Sequence, residues 1–336
     1  MIILNTLLAL ASFFLAIFPV IVVHEFGHFL VGKWLGAEPK IFSMGIGKRL
    51  FSFKWLGADF RLSLLPIGGY VAFNKTQFTN EVGADGNKNI LPASKWIPIA
   101  LAGPVSNFIL TFLIFTSVFM YGLSQIDSAK VVSLNPSLPE VTLETKILFL
   151  NNENRATDFV RKQILGQTEG KIFLMNNGEI SAFKGDLNEL NKTFSEKADY
   201  STLNYLGRSV KISAALVVGM GVMTADALVK VVSSKDGYKG LMGPVGIANE
   251  ANKARNTGML DFVFLVAGLS FAIGFFNLLP LSFLDGGRVL LASFEVIFKR
   301  KVSEVSLGTL NLMSLIVVGG LFFVGMFSDL LRLFQG

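Results

Sequence analysis

Three predominantly apolar stretches, Ile2–Val31, Trp96–Leu123 and Leu307–Phe334, are each long enough to carry an α-helix through a bilayer core, a distance that takes about 20 residues. The chain as a whole is 51% hydrophobic and 16% charged, too apolar for a water-soluble protein of this length. It belongs in a membrane. There is no cysteine, and 336 residues contain two histidines. Disulfides and thiolate chemistry are thereby excluded, and any imidazole chemistry uses His24 and His28. A formal charge of +6 comes with no aromatic-studded basic stripe. Nucleic acid is therefore set aside as a partner, and the lysines and arginines read as loop charges.

The run ahead of His24 lacks a basic leading region and a small-residue cleavage site, so it reads as a retained helix and not a secretory signal. The closing Leu333-Phe334-Gln335-Gly336 matches what a viral-protease tag site leaves behind. A fourth apolar run, Leu260–Leu291, is interrupted by Asn277, Pro280 and Asp285. Polar and helix-breaking residues at membrane depth are tolerated only against protein or a wet cavity, which marks this run as functional.

Between the first two spans, alternation at Phe60, Leu62 and Leu64 with Pro66, Gly68 and Gly69 as punctuation predicts short strands and a hairpin at the membrane surface. Asp127–Tyr200 changes to Asn, Glu, Lys and Thr and reads as a small soluble domain. Strands are expected at Lys130–Val132, Lys146–Leu150 and Lys171–Met175, and a helix at Asp158–Leu165. Val210–Val232 is long enough to span but carries Lys211, Asp226 and Lys230. If His24 and His28 are to meet Asp285, their two helices run in the same direction. With one return span between them, Val210–Val232 then lies along the surface as an amphipathic helix. Basic residues outnumber acidic ones in the loop after the first span, and Lys299-Arg300-Lys301 occupies the last one. Both loops are expected in the cytoplasm.

His24-Glu25-Phe26-Gly27-His28 has the pattern His-Glu-x-x-His. Residues four apart share a helix face, so both imidazoles can bind one ion. Neutral imidazole suits zinc, whose catalytic sites use three protein ligands and leave a fourth position for water. Glu25 adjoins the first ligand, where a carboxylate can take a proton from that water. Asp285, the carboxylate of the interrupted span, is the natural third ligand. Its alternative is a helix cap. Gly286 and Gly287 permit close backbone approach, Pro280 breaks the helix before it, and Asn277 can donate to a substrate carbonyl or oxyanion.

These residues resemble the site-2 protease family, in its bacterial branch. Beyond the histidine motif, the resemblance rests on Asn277-Leu278-Leu279-Pro280 and Leu284-Asp285-Gly286. Phe42–Gly47, Pro66–Tyr70, Gly103-Pro104-Val105-Ser106-Asn107 and Gly243-Pro244-Val245-Gly246-Ile247 are also similar. It implies an intramembrane zinc endopeptidase with His24, His28 and Asp285 on Zn2+ and Glu25 as catalytic base. Asn277, Gly68, Gly69 and Asn107 would contact substrate. The substrates implied are single-pass membrane proteins such as anti-sigma factors or remnant signal peptides. The setting implied is the bacterial cytoplasmic membrane, with the active site toward the cytoplasm and a PDZ-like domain outside. Two departures stand out: Ser282 occupies a place where the family commonly has a second proline, and there is room for one PDZ-like module only. That module lacks an evident Gly-rich carboxylate-binding loop, which favours steric filtering over capture of a C-terminus.

The expected fold is thus an α-helical multi-pass membrane protein with four transmembrane helices, a membrane-associated β hairpin and one extracytoplasmic PDZ-like α+β domain. The expected order is span 1 at 1–32, a cytoplasmic loop with the β element at 33–95, span 2 at 96–123 and the PDZ-like domain at 124–207. An interfacial helix with the Gly-Pro-Val-Gly-Ile segment follows at 208–259, then span 3 at 260–292, a cytoplasmic loop at 293–306 and span 4 at 307–334. A transporter built on the same buried carboxylates would show repeated halves, and no repeat is found. A catalytically idle relative would be expected to have lost Glu25.

Overall fold

The first apolar run folds as one helix, α1 (Ile2–Leu35), in a computed structural model that describes residues 2–76, 89–126, 172–176, 179–183, 202–233 and 242–335. The chain divides into two units, one of residues 1–111, 217–257 and 265–336, the other of 112–216 and 258–264. After α1 come β1 (Pro39–Trp55), β2 (Ala58–Phe73), β3 (Lys75–Thr76), β4 (Asn89–Ile90) and α2 (Ala93–Ile126). Then follow β5 (Ile172–Asn176), β6 (Glu179–Phe183), α3 (Thr202–Ser233), α4 (Pro244–Thr257), α5 (Met259–Asn277), α6 (Asp285–Phe298) and α7 (Glu304–Gln335).

In the larger unit, α1 carries two differently used stripes. Val22, Phe26 and Phe29, at helical spacing, pack on the sheet residues Phe42, Ala58 and Phe60. The rings of Phe42 and Phe60 stack at 4.7 Å. Val31 and Leu35 instead pack with Trp96 and Ile99 of α2. Helix α1 is therefore held from both sides just where its histidines lie.

The β1–β2 hairpin is more than a two-strand ribbon. Trp55 to Phe51 pair with Ala58 to Leu62 in antiparallel fashion, and Pro39 to Met44 pair, again antiparallel, with Phe73 back to Gly69. The register also sets Ile41–Met44 beside Asp59–Leu62, ascending in step. Residues 41–44 are thus covered on both sides. The segment Gly69–Phe73 has partners on one side and, among the described residues, no strand on the other. Gly68 has φ +81°, a left-handed conformation natural to glycine, and it turns the chain into this edge.

The interrupted run does not form one span. Helix α5 ends at Asn277, turns occupy 278–284, and α6 begins at Asp285. Pro280 has no N–H to continue the helical ladder, and Leu284 N–H closes a turn on Leu281 C=O at 2.8 Å. The third span expected over 260–292 is therefore two helices joined by a non-helical link.

Among the described residues, five helices are long and apolar enough to cross a membrane: Thr6–Leu35, Ala93–Tyr121, Leu206–Val231, Met259–Asn277 and Val305–Arg332. The protein is an integral membrane protein. The sequence reading expected four spans, with Val210–Val232 along the surface. The extra candidate is α3, whose Asp226 and Lys230 pair at 2.6 Å one helical turn apart, which lowers the cost of its charges in an apolar setting.

Asp329, 3% exposed near the end of α7, accepts N–H bonds from Gly243 at 3.1 Å and Gly246 at 2.8 Å, at the start of α4. A carboxylate there satisfies donors that the helix itself leaves unpaired. Asp329→Ala is expected to cost about 1–3 kcal/mol through those stranded donors. The check is a lower thermal midpoint in detergent with zinc content per chain unchanged.

In the smaller unit, Phe264 of α5 lies 5.7 Å from Phe115 and 6.4 Å from Phe119 of α2. There too, β5 and β6 pair antiparallel from Ile172 opposite Phe183 to Asn176 opposite Glu179. The strand expected at Lys171–Met175 corresponds to β5. The strands expected at 130–132 and 146–150, the helix at 158–165 and most of the PDZ-like module lie outside the described residues.

Candidate metal centre

His24 and His28 leave the same face of α1, with their Nε2 atoms 3.2 Å apart. That face meets α2 at Gly103. An ideal Cβ there would stand 2.3 Å from His28 Nε2 and 2.7 Å from His24 Nε2, so only a residue without a side chain lets α2 pass this close. The third group arrives from the link between α5 and α6. Asp285 Oδ2 is 3.1 Å from His24 Nε2 and 3.3 Å from His28 Nε2. Asp285 sits in the first turn of α6, where Gly286 and Gly287 let the helix fold back on the carbonyls of Leu278 and Leu281.

The outer ring nitrogens decide what the inner ones can do. His28 Nδ1 lies 2.7 Å from the Ile99 carbonyl. A carbonyl only accepts, so Nδ1 carries the proton and Nε2 is left as a lone pair. His24 Nδ1 faces the side-chain amide of Asn107 at 3.2 Å. The structure sets Nδ2 on that side and leaves the buried Oδ1 without a partner among the described residues. Exchanging the two, which have the same shape, pairs Oδ1 with His24 Nδ1–H and leaves Nε2 as an acceptor. Two lone pairs and one carboxylate oxygen then converge with no proton among them. Asp285 Oδ2 is buried and lacks a hydrogen-bond partner among the described residues. Such an arrangement is repulsive alone and satisfied by a cation.

The spacing suits zinc. Tetrahedral zinc holds N and O ligands at about 2.0–2.2 Å, which puts neighbouring ligand atoms about 3.3–3.5 Å apart. The observed separations of 3.1, 3.2 and 3.3 Å fit that polyhedron with little movement. Among the described residues, His24, His28 and Asp285 are the one group of three metal-ligating side chains that could share an ion.

A cavity of about 600 Å³ opens on this cluster, lined by the three residues together with Glu25, Asn277 and the strand Gly69–Phe73. Glu25 is half-buried and borders Gly69 so tightly that a Cβ at 69 would come 2.8 Å from its Cγ. Asn277, in the cavity wall, donates one amide N–H to Ile273 C=O at 2.9 Å, which fixes its side chain. Gly68 is adjacent but not part of the wall.

Asn107, expected at the substrate, lies elsewhere. It is 0% exposed, stands behind His24 and is not part of the cavity wall. Its backbone carbonyl accepts from Thr111 Oγ1 at 3.0 Å and Ser270 Oγ at 2.9 Å, which moors this part of α2. Tyr70, Phe73, Trp96, Phe283 and Arg288 also line the cavity and were not singled out from sequence. Arg288 follows Asp285 by three residues on α6 and was accessible from helical periodicity. The others depend on how the sheet and the link fold.

A family model described as peptidase family M50 matches residues 12–321, a span that takes in all of these positions. A Campylobacter jejuni protein named as a zinc metalloprotease is 28% identical over 331 residues, 92% of this chain and 90% of the relative. One from Helicobacter pylori strain J99, with the same kind of name, is 29% identical over 348 residues, 93% of this chain and 96% of the relative. A third, from Clostridium acetobutylicum, is 28% identical over 315 residues, 88% of this chain and 90% of the relative.

Proposed function

Since the chain belongs to peptidase family M50 and is a zinc metalloendopeptidase of the membrane, we propose that His24, His28 and Asp285 hold its Zn2+ and that Glu25 is its general base. The observation that carries this reading is the convergence of His24 Nε2, His28 Nε2 and Asp285 Oδ2 within 3.3 Å of one another, beside a cavity that Glu25 also lines. Bound zinc supplies the polarisation that makes a water nucleophilic at neutral pH. Glu25 takes the proton released in attack and passes it to the departing amine. Asn277, in the cavity wall, is proposed to donate its other amide N–H to the scissile carbonyl. Asn107 and the Ile99 carbonyl keep both imidazoles in the ligating tautomer.

The substrates proposed are single-pass membrane proteins, such as anti-sigma factors or remnant signal peptides, cut in or near the membrane segment. A helical peptide bond is masked by its own backbone hydrogen bonds. The unpaired side of Gly69–Phe73 offers an unwound segment replacement partners, and the close approach of Gly69 to Glu25 brings that segment past the base. We further propose four spans in a bacterial cytoplasmic membrane with α3 along the surface, the metal toward the cytoplasm and a PDZ-like module outside. The basic character of residues 33–95 and of Lys299-Arg300-Lys301 supports this orientation.

The test is co-reconstitution with a single-pass reporter. Chelation is expected to stop cleavage and added zinc to restore it. Asp285→Ala is expected to weaken zinc retention by about 100-fold, because one of three protein ligands is gone. Native zinc retention and native cleavage in Asp285→Ala would overturn the ligand assignment.

A further inference from the structure

The last helix touches the rest of its unit along a narrow stripe. Residues such as Leu312, Met313, Leu315 and Ile316 are exposed, whereas Ser314 between them is 5% exposed. A buried hydroxyl on an otherwise apolar, outward-facing helix calls for a partner. It has one in the link that carries Asp285. Ser282 N–H donates to Ser314 Oγ at 2.9 Å, and the two hydroxyls lie 3.0 Å apart.

Ser282 holds a particular place in that link. Leu284 N–H bonds to Leu281 C=O at 2.8 Å, which makes 281–284 a β-turn with Ser282 at its second position. That position requires φ near −60°, and its N–H takes no part in the turn, which is why proline suits it. Serine neither fixes φ nor dispenses with the N–H. In this chain Ser314, 32 residues away, supplies the constraint that the residue at 282 does not. The next residue after the turn is Asp285.

Resting on the assignment of Asp285 as a zinc ligand, we propose that Ser314 is a positioning residue, which pins the 281–284 turn from α7 and thereby sets the carboxylate at ligating distance from His24 and His28. Its effect on catalysis passes entirely through that carboxylate. Without the pin, the turn samples other conformations and the third ligand arrives less often.

The experiment measures zinc affinity by chelator competition in detergent, together with the thermal midpoint of the zinc-free protein, for the native chain, Ser314→Ala, Ser282→Pro, the double variant and Asp285→Ala. Ser314→Ala is expected to weaken zinc by about tenfold, the range seen for groups that orient metal ligands, with the zinc-free midpoint little changed. Ser282→Pro in the Ser314→Ala background is expected to restore affinity to within about twofold, since proline fixes the same turn without a partner. Native affinity in Ser314→Ala while Asp285→Ala loses zinc would overturn the proposal and leave the metal site standing. Unchanged affinity in both would overturn the metal site itself. Failure of proline to restore a weakened Ser314→Ala overturns the route through the turn. Should Ser314→Ala not fold, the double variant decides: a folded, zinc-binding protein supports the pin, and an unfolded one refutes it.

Discussion

Glu25→Gln is expected to keep one zinc per chain and to lose cleavage by about 1,000-fold or more. The substitution preserves size and shape while removing the negative charge and the ability to accept a proton. General acid–base groups contribute about 100- to 10,000-fold, and the upper part of that range applies where one group serves both as base for attack and as acid for departure of the amine. Zinc persists because the convergent atoms are His24 Nε2, His28 Nε2 and Asp285 Oδ2, and Glu25 is outside that set. Metal analysis and reporter turnover on the same preparation check both halves. Turnover at the native rate sinks the assigned base, and loss of zinc makes Glu25 a ligand instead.

Gly103→Ala is expected to weaken zinc by about 100-fold or more and to abolish cleavage while the protein still folds. The added methyl would stand 2.3 Å from His28 Nε2 and 2.7 Å from His24 Nε2, so both rings must turn away. They are not free to do so and still ligate, because His28 Nδ1 is fixed on the Ile99 carbonyl and His24 Nδ1 on Asn107. The conflict falls on the ends of side chains and not on backbone, which is why the cost lands on the metal and not on assembly. Native zinc affinity in Gly103→Ala would show that α2 does not set the ligand geometry.

Gly103 also marks where sequence reasoning stopped. It was noted as part of Gly-Pro-Val-Ser-Asn, but its consequence needs the packing of α1 against α2. The histidine pair was legible because helical periodicity alone puts residues 24 and 28 on one face. Asp285 was legible because a carboxylate in an apolar run demands a partner. The break at Pro280 was legible from the missing N–H. The partners of the outer ring nitrogens were not. The Ile99 carbonyl is a backbone group that no residue type announces, and Asn107 looked like a substrate contact until it was seen buried behind His24.

The sheet shows a similar limit. Alternation at Phe60, Leu62 and Leu64 predicted strands, yet a period of two does not say which neighbour a strand chooses. That Ile41–Met44 would be flanked on both sides depends on where the chain doubles back at Leu56-Gly57, with φ of 49° and 82°. The Ser282–Ser314 contact was out of reach for the same reason: the two residues belong to elements that meet only in the folded molecule.

If the open margin of Gly69–Phe73 seats the substrate as proposed, it has a consequence for what the protease discriminates. A row of amide and carbonyl groups reads no side-chain alphabet; it rewards any polypeptide able to surrender its coil and lie flat. Susceptibility is then graded by how readily a membrane segment melts locally. A target with glycine, asparagine or proline well inside its membrane segment is then expected to be cut faster than one without.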